Sequence, residues 1–187
     1  MNISYRQLGL VVFLSVNSLL ARAVDIEAGK GRATACQGCH GVAGVSSNPL
    51  WPNLAGQTAA YLESQLKKFK LGERKNATMN AMAEDLTETD IQNLAAYFAS
   101  LPSKSAGADK ALVAQGESKA TMCMGCHGGK LQGKVQFPSL AGQQPEYLAK
   151  QLRAFKNGER RAGPMNVMAQ NLNDEDIKAL AAYLGSL

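Results

Sequence analysis

The chain has 187 residues, 45% of them hydrophobic, and its 20 basic and 15 acidic residues give a net charge of +5. This composition excludes a disordered chain, a collagen-like repeat and a protein with several membrane spans. The basic excess is small and the charges are scattered, so we expect no nucleic-acid partner. Aromatic residues make up only 6%, a low content for a chain that builds its cores from side chains alone.

The first predicted element is an N-terminal apolar segment. Residues 8–20 are mostly apolar, and Ala21-Arg22-Ala23 follows as a small-residue cleavage site, which is typical of a secretory signal peptide. Thirteen residues are fewer than the roughly 20 that span a bilayer. We therefore predict a cleaved signal peptide at 1–23 and a mature protein in the periplasm. Cleavage removes Arg6 and Arg22 and lowers the net charge from +5 to +3.

The remaining sequence contains two copies of one unit, offset by 87 and then by 86 positions. The repeated motifs are Cys-x-x-Cys-His (36–40 and 123–127), Pro-x-Leu-Ala-Gly-Gln (52–57 and 138–143), Met-x-x-Met (79–82 and 165–168) and Leu-Ala-Ala-Tyr (94–97 and 180–183). Two copies are too few for a solenoid, which needs at least three. We predict tandem domains at 24–101 and 108–187. The linker at 102–107 is short, so the domains should lie close together.

Each copy is predicted to fold as three helices. The first should run into the cysteine motif, near 25–35 and 109–122. The last has apolar residues at i, i+3, i+4 and i+7: Ile91, Leu94, Ala95 and Phe98, and again Ile177, Leu180, Ala181 and Leu184. Such spacing gives one apolar helical face. Thr87 with Asp90, and Asn173 with Asp176, have the spacing of capping boxes. No segment alternates with a period of two, so we expect an all-α protein.

All four cysteines lie in the two Cys-x-x-Cys-His motifs, as Cys36, Cys39 and His40 and as Cys123, Cys126 and His127. The motif is typical of c-type haem attachment. Two thiols at this spacing reach the two vinyl groups on one porphyrin edge, and the histidine turns under the iron. We therefore predict two covalently attached haems.

Three other roles of the cysteines agree less well with the sequence. A zinc site in each copy would need two more ligands, and the chain has no other histidine. One zinc shared by both copies would leave the repeated methionines unexplained. A thioredoxin-like pair would need a βαβ context, and structural disulfides give no reason for the histidines.

Haem iron in cytochromes c is commonly held by a histidine and a methionine. Each copy supplies two candidate methionines, Met79 and Met82 in the first and Met165 and Met168 in the second. Their spacing from the histidines does not separate the two members of a pair. An iron that binds both axial ligands has no open position for a substrate, so we expect an electron carrier and not an enzyme. A two-haem peroxidase would need a third histidine.

The order and duplication of these motifs resemble the bacterial two-haem cytochromes c of the cytochrome c-4 type, over nearly all of 24–187. The resemblance implies an all-α fold of two tandem cytochrome c-like domains, each built around one haem. It also implies that the first methionine of each pair, Met79 and Met165, is the iron ligand. In that family the prolines matching Pro52 and Pro138 offer a carbonyl to the outer nitrogen of the axial histidine.

Further implications of the resemblance concern packing and partners. Glycines near Gly29 and Gly116 would let the first helix cross the last one closely, beside Tyr97 and Tyr183. The family's function implies single-electron transfer in a periplasmic respiratory chain. The acceptor would be a membrane complex such as a terminal oxidase, and the monomeric carrier could associate loosely with the membrane face. The alternative is the electron-accepting subunit of a dehydrogenase complex, for example a sulfide-oxidising flavocytochrome.

One group of charges in the first copy has two interpretations. Five basic residues lie close together in the sequence: Lys67, Lys68, Lys70, Arg74 and Lys75. They form either a docking patch for a redox partner or the ordinary solvated face of an amphipathic helix.

Without haem, we expect the chain to be largely unfolded, because a domain of this size rarely gains more than about 3–5 kcal/mol from its own core. In a variant with alanine at all four cysteines, circular dichroism on heating should show no cooperative transition. A native-like transition in that variant would contradict the prediction.

Overall fold

The structure is a computed structural model that describes residues 23–187. The predicted signal peptide lies outside the described residues except for Ala23. The helices are α1 (Ile26–Arg32), α2 (Thr34–His40), α3 (Ala59–Lys70), α4 (Ala77–Glu84), α5 (Glu88–Ser100), α6 (Lys110–His127), α7 (Pro145–Lys156), α8 (Pro164–Gln170) and α9 (Asp174–Ser186). The described range contains an isolated bridge between Lys134 and Phe137 but no strand, so the all-α prediction is confirmed. None of its helices is long and apolar enough to cross a membrane.

Two details of the helices differ from the prediction. The methionine pairs lie on short helices of their own, α4 and α8, so the second and last helices of each copy are separated by a further helix. The first helix also continues through the cysteine motif to the histidine. In the first copy it is divided at Ala33 into α1 and α2, whereas α6 is continuous. The break follows Gly31, where the second copy has Ser118, and glycine weakens a helix by roughly 0.5–1 kcal/mol.

The last helix of each copy forms the centre of a separate core. Ile91 and Leu94 of α5 and Ile177 and Leu180 of α9 are almost fully buried. Helix α5 packs on α1 and α3, and α9 packs on α6 and α7. Both predicted capping boxes are present at the starts of α5 and α9. They satisfy backbone N–H groups that a helix start otherwise leaves unpaired.

Glycine is required where the first helix crosses the last. A Cβ atom on Gly29 would lie 2.1 Å from the carbonyl oxygen of Asn93, and one on Gly116 would lie 2.0 Å from that of Ala179. The Cβ atoms of Tyr97 and Tyr183 lie 3.0 and 2.8 Å from the same two positions. The close crossing inferred from the family resemblance is therefore present in both copies.

The two copies contact each other through reciprocal hydrogen bonds that we call the glutamine bridges. Gln143 Oε1 accepts from the Asn53 N–H (2.7 Å), and Gln143 Nε2 donates to the Asn53 carbonyl (2.9 Å). Gln57 makes the same two bonds with the backbone of Ser139, at 2.7 and 3.0 Å. Each bridge joins one copy to the other, so the contact has an approximate two-fold symmetry.

A second contact between the copies, the arginine cluster, has the same symmetry. Its members are Arg74, Tyr61 and Gln65 of the first copy and Arg160, Tyr147 and Gln151 of the second. Arg74 Nη2 donates to Tyr147 Oη and Gln151 Oε1, both at 3.0 Å. Arg160 Nη2 donates to Tyr61 Oη and Gln65 Oε1, both at 2.9 Å.

The arginine cluster changes the interpretation of the basic residues near α3. The guanidinium of Arg74 lies between the two copies and over the ring of Phe69, 4.6 Å from its centroid. Burial would raise the pKa of the Tyr147 hydroxyl, but Arg74 and Arg160 together bring it below its ordinary value. Arg74 is therefore not part of a solvent-facing patch with the neighbouring lysines.

The helix crossing gives a test with a matched control. Gly29→Ala should lower the free energy of unfolding by about 1–3 kcal/mol, because the new methyl group overlaps the backbone of α5. Gly31→Ala lies two residues away with nothing within 4 Å of its Cβ position, so it should be neutral or slightly stabilising. Denaturant unfolding of the haem-loaded protein measures both. Equal effects of the two substitutions would contradict the close crossing.

Candidate functional site

The cysteine motifs occupy the last turns of α2 and α6. Cys36 and Cys123 are half-buried and pack against the two cores, whereas Cys39 and Cys126 are exposed. Residues three apart on a helix lie on the same face, so the two sulfurs of each motif share one side of their helix. None of the four cysteines forms a disulfide. This arrangement fits two covalent attachments per copy, one at the edge of the core and one at the surface.

Both motif histidines are buried, and each ring is held by one backbone carbonyl. His40 Nδ1 lies 2.9 Å from Pro52 O, and His127 Nδ1 lies 2.8 Å from Pro138 O. A carbonyl oxygen can only accept, so Nδ1 carries the proton and donates it. In the neutral ring Nε2 then keeps a free lone pair, which is the form that binds a metal. The hydrogen bonds expected from the family resemblance are present.

Burial also favours the neutral form of these histidines. It lowers the pKa of His40 and His127 below the ordinary value, while the proline carbonyls act in the opposite direction. Both rings are therefore neutral near pH 7. A neutral ring is ready to bind iron without first losing a proton.

A glycine directly after each histidine turns the chain back towards it. Gly41 and Gly128 have φ values of 76° and 88°, which favour glycine. A Cβ atom on Gly41 would lie 1.8 Å from the carbonyl oxygen of Val45. This turn lets the chain return with Pro52 only 12 residues after His40.

The two methionines of a pair differ in solvent exposure in the first copy but not in the second. Met79 is half-buried and packs against the first core, whereas Met82 is 44% exposed. The Met79 N–H donates to Asn76 Oδ1 at 3.0 Å, which caps α4. In the second copy Met165 and Met168 are both half-buried. Burial thus favours Met79 in the first copy, and the choice of Met165 remains a prediction.

The polar residues between the two copies were not identified as functional from the sequence. Gln57 and Gln143 end the repeated Pro-x-Leu-Ala-Gly-Gln motif, and Arg74 and Arg160 end a repeated Gly-Glu-Arg. Each pair recurs at the offset of 86, although neither has a role in attaching haem. Repetition of a polar residue without an assigned role is the sequence signal that could have identified this contact.

Comparison with known proteins finds cytochromes c that match nearly the whole chain. The family model described as cytochrome c matches twice, at residues 26–102 and 113–187. Cytochrome c4 of Stutzerimonas stutzeri is 37% identical, covering 95% of this chain and 96% of its own. The crystal structure of reduced recombinant cytochrome c4 from Pseudomonas stutzeri matches with a TM-score of 0.82 and 38% identity, covering 88% of this chain and all of that one.

Another relative is named for a different role. A thiosulfate dehydrogenase electron acceptor of Thiomonas intermedia is 34% identical, covering 82% of this chain and 79% of its own. The same fold thus occurs in proteins named for accepting electrons from a dehydrogenase.

The methionine assignment can be tested with paired substitutions in α4. Met79→Ala should abolish one of the two weak far-red absorptions that arise from sulfur bound to ferric iron, and should lower the potential of that haem. Met82→Ala serves as the control and should keep both absorptions, because its side chain is largely in solvent. Optical spectra of the oxidised protein decide. Loss of the band in Met82→Ala alone would place the ligand one helical turn further along.

Proposed function

Since the chain belongs to the cytochrome c family and is a two-haem electron carrier of the cytochrome c4 type, we propose that it carries single electrons through the periplasm to a membrane terminal oxidase. One observation supports the haem-based electron transfer in this proposal most directly. Each copy pairs a Cys-x-x-Cys motif that forms no disulfide with a buried histidine whose Nδ1 is hydrogen-bonded to a proline carbonyl. That set of groups holds a haem and leaves Nε2 for its iron.

The attachment of each haem is proposed for the two cysteine pairs. Cys36 and Cys39 would bind the first haem and Cys123 and Cys126 the second, with each S–H adding across a vinyl double bond to form a thioether. When bound, the haem supplies a one-electron Fe(III)/Fe(II) couple. The protein contributes the orientation of the ring, the exclusion of water and the axial ligands.

The axial ligands are proposed to be His40 with Met79 and His127 with Met165. The histidines are held neutral by burial, and the methionine sulfurs offer a soft, uncharged partner. Two such ligands on each iron would leave no open position for a substrate. The site is therefore suited to electron transfer and not to catalysis. In this proposal residues 24–101 and residues 108–187 each carry one haem, and residues 102–107 join the two domains.

A second candidate function is favoured by one of the relatives. Similarity to a thiosulfate dehydrogenase electron acceptor suggests that the chain could receive electrons directly from a dehydrogenase that oxidises a sulfur compound. This differs from the flavocytochrome considered from the sequence, although both are electron-accepting subunits. The two functions differ in the source of the electrons and in whether the partner stays bound.

The proposal is tested by following electron flow with purified protein. The pyridine haemochrome assay should give two haems per chain. Membranes from the source organism should oxidise the reduced protein with the release of two electrons per chain, and cyanide should stop the reaction. A net charge of +3 after signal removal predicts slower oxidation as salt rises, because salt screens the attraction to an acidic partner.

The alternative predicts a different outcome in the same preparation. If the protein is a dehydrogenase subunit, a periplasmic extract with thiosulfate should reduce it rapidly, and a dehydrogenase should copurify with it. Reduction by that extract together with no oxidation by membranes would overturn the terminal-oxidase proposal. Heat-treated membranes serve as the control for non-enzymatic oxidation.

A further inference from the structure

We propose that Gln57 and Gln143 are positioning residues that act across the boundary between the copies, each orienting the axial histidine of the other copy. Gln143 of the second copy would set the ring of His40, and Gln57 of the first would set the ring of His127. The inference rests on the proposed role of the two histidines as iron ligands.

The geometry that supports it is a single peptide group held at both ends. The carbonyl of Pro52 and the N–H of Asn53 belong to the same planar peptide unit. Its oxygen accepts from His40 Nδ1 at 2.9 Å, and its N–H donates to Gln143 Oε1 at 2.7 Å. Because the unit is rigid, the glutamine that fixes the N–H also fixes the direction of the oxygen that holds the ring.

The second copy has the same arrangement, in which the glutamine comes from the first copy. The peptide between Pro138 and Ser139 accepts from His127 Nδ1 at 2.8 Å through its oxygen, and its N–H donates to Gln57 Oε1 at 2.7 Å. Hydrogen bonds in such a chain polarise one another. Each glutamine therefore also makes the carbonyl a stronger acceptor, which increases the electron density of the imidazole bound to iron.

Burial makes the glutamines difficult to replace by water. Gln57 and Gln143 are each 6% exposed and Asn53 is 7% exposed. A buried N–H that loses its acceptor costs roughly 1–3 kcal/mol, so the peptide unit should reorient when the glutamine is removed. The proline carbonyl oxygen would then move away from the Nδ1 of the histidine or accept a weaker hydrogen bond from it.

The two bridges differ in how much other support they have. The Asn53 side chain donates to the Gly142 carbonyl at 3.0 Å and accepts from the Ser46 N–H at 2.9 Å. The corresponding position in the second copy is Ser139, which has no amide to make these bonds. Removal of Gln57 should therefore disturb His127 more than removal of Gln143 disturbs His40.

The experiment uses NMR of the haem-loaded protein labelled with nitrogen-15 at histidine. The chain has two histidines, so each copy gives one Nδ1–H signal, assigned by its contacts to the neighbouring residues. In Gln143→Met the His40 Nδ1–H should exchange with solvent about tenfold faster, which corresponds to ~1.4 kcal/mol, while His127 stays unchanged. In Gln57→Met the Nδ1–H of His127 should exchange faster by a larger factor, while that of His40 stays unchanged.

The potential of each haem is the second readout. Loss of the glutamine weakens the bond from Nδ1, so the imidazole donates less to ferric iron and the potential should rise. The rise should occur in the haem of the opposite copy from the substitution. A substitution that only loosened the fold would affect both haems or the haem of its own copy.

Gln151→Met is the matched control. Gln151 also lies between the copies, but it accepts from Arg74 and Arg160 and not from a peptide beside a proline. It should leave both histidine signals unchanged. If Gln143→Met loads haem poorly, Gln143→Glu keeps an acceptor for Asn53 and should increase the exchange of His40 alone, by a smaller factor.

The outcomes separate this inference from the proposed function. Equal effects on both histidines, effects confined to the substituted copy, no effect, or the same crossed effect in Gln151→Met would each overturn the inference. A histidine nitrogen signal in the unmodified protein that does not move when the haem is oxidised would refute the ligand assignment, and the inference with it.

Discussion

In each copy a helix that carries two thiols ends in a buried histidine, and one backbone carbonyl determines which way that ring faces. The carbonyl oxygens of Pro52 and Pro138 can only accept, so they place the proton on Nδ1 and leave the lone pair of Nε2 free to bind a metal ion. The surrounding structure brings that oxygen within reach. Gly41 reverses the chain after the helix with a φ that favours glycine, and the returning segment is tied down by hydrogen bonds from Leu54 and Ala55 to Gly44.

The position of each histidine also depends on the close crossing of the first and last helices of its copy. The last helix supplies most of the fully buried side chains, including Leu94 and Leu180, and it packs on the helix that carries the cysteine motif in one copy or immediately precedes it in the other. Gly29 and Gly116 remove the side chain where these helices meet. The cysteine motif is thereby anchored on one side by the core, and its histidine is held on the other side by the proline carbonyl.

Patterns that depend on neighbouring residues were predictable from the sequence, and those that depend on the pairing of distant residues were not. The Cys-x-x-Cys-His motifs, the capping residues Thr87 and Asn173, and the apolar face of α5 each lie within a few turns of one helix. The short helix that contains Met79 was missed because its eight residues are too few to show a helical period, and its cap, Asn76, is a residue equally common in loops. The sequence predicts a surface position for Arg74, because nothing near it in the sequence indicates that its partner is Tyr147, 73 residues away.

The glutamine bridges and the arginine cluster have the geometry of an isologous contact, in which one surface pairs with a copy of itself around a two-fold axis. A single copy of the unit would present both halves of that contact, so the surface is self-complementary in a way that homodimers require. Joining the copies in one chain makes their association independent of protein concentration. It also allows the two halves of the contact to differ. Asn53 adds side-chain hydrogen bonds to Gly142 and Ser46 that Ser139 cannot make, so one half of the duplicated contact is held more firmly than the other.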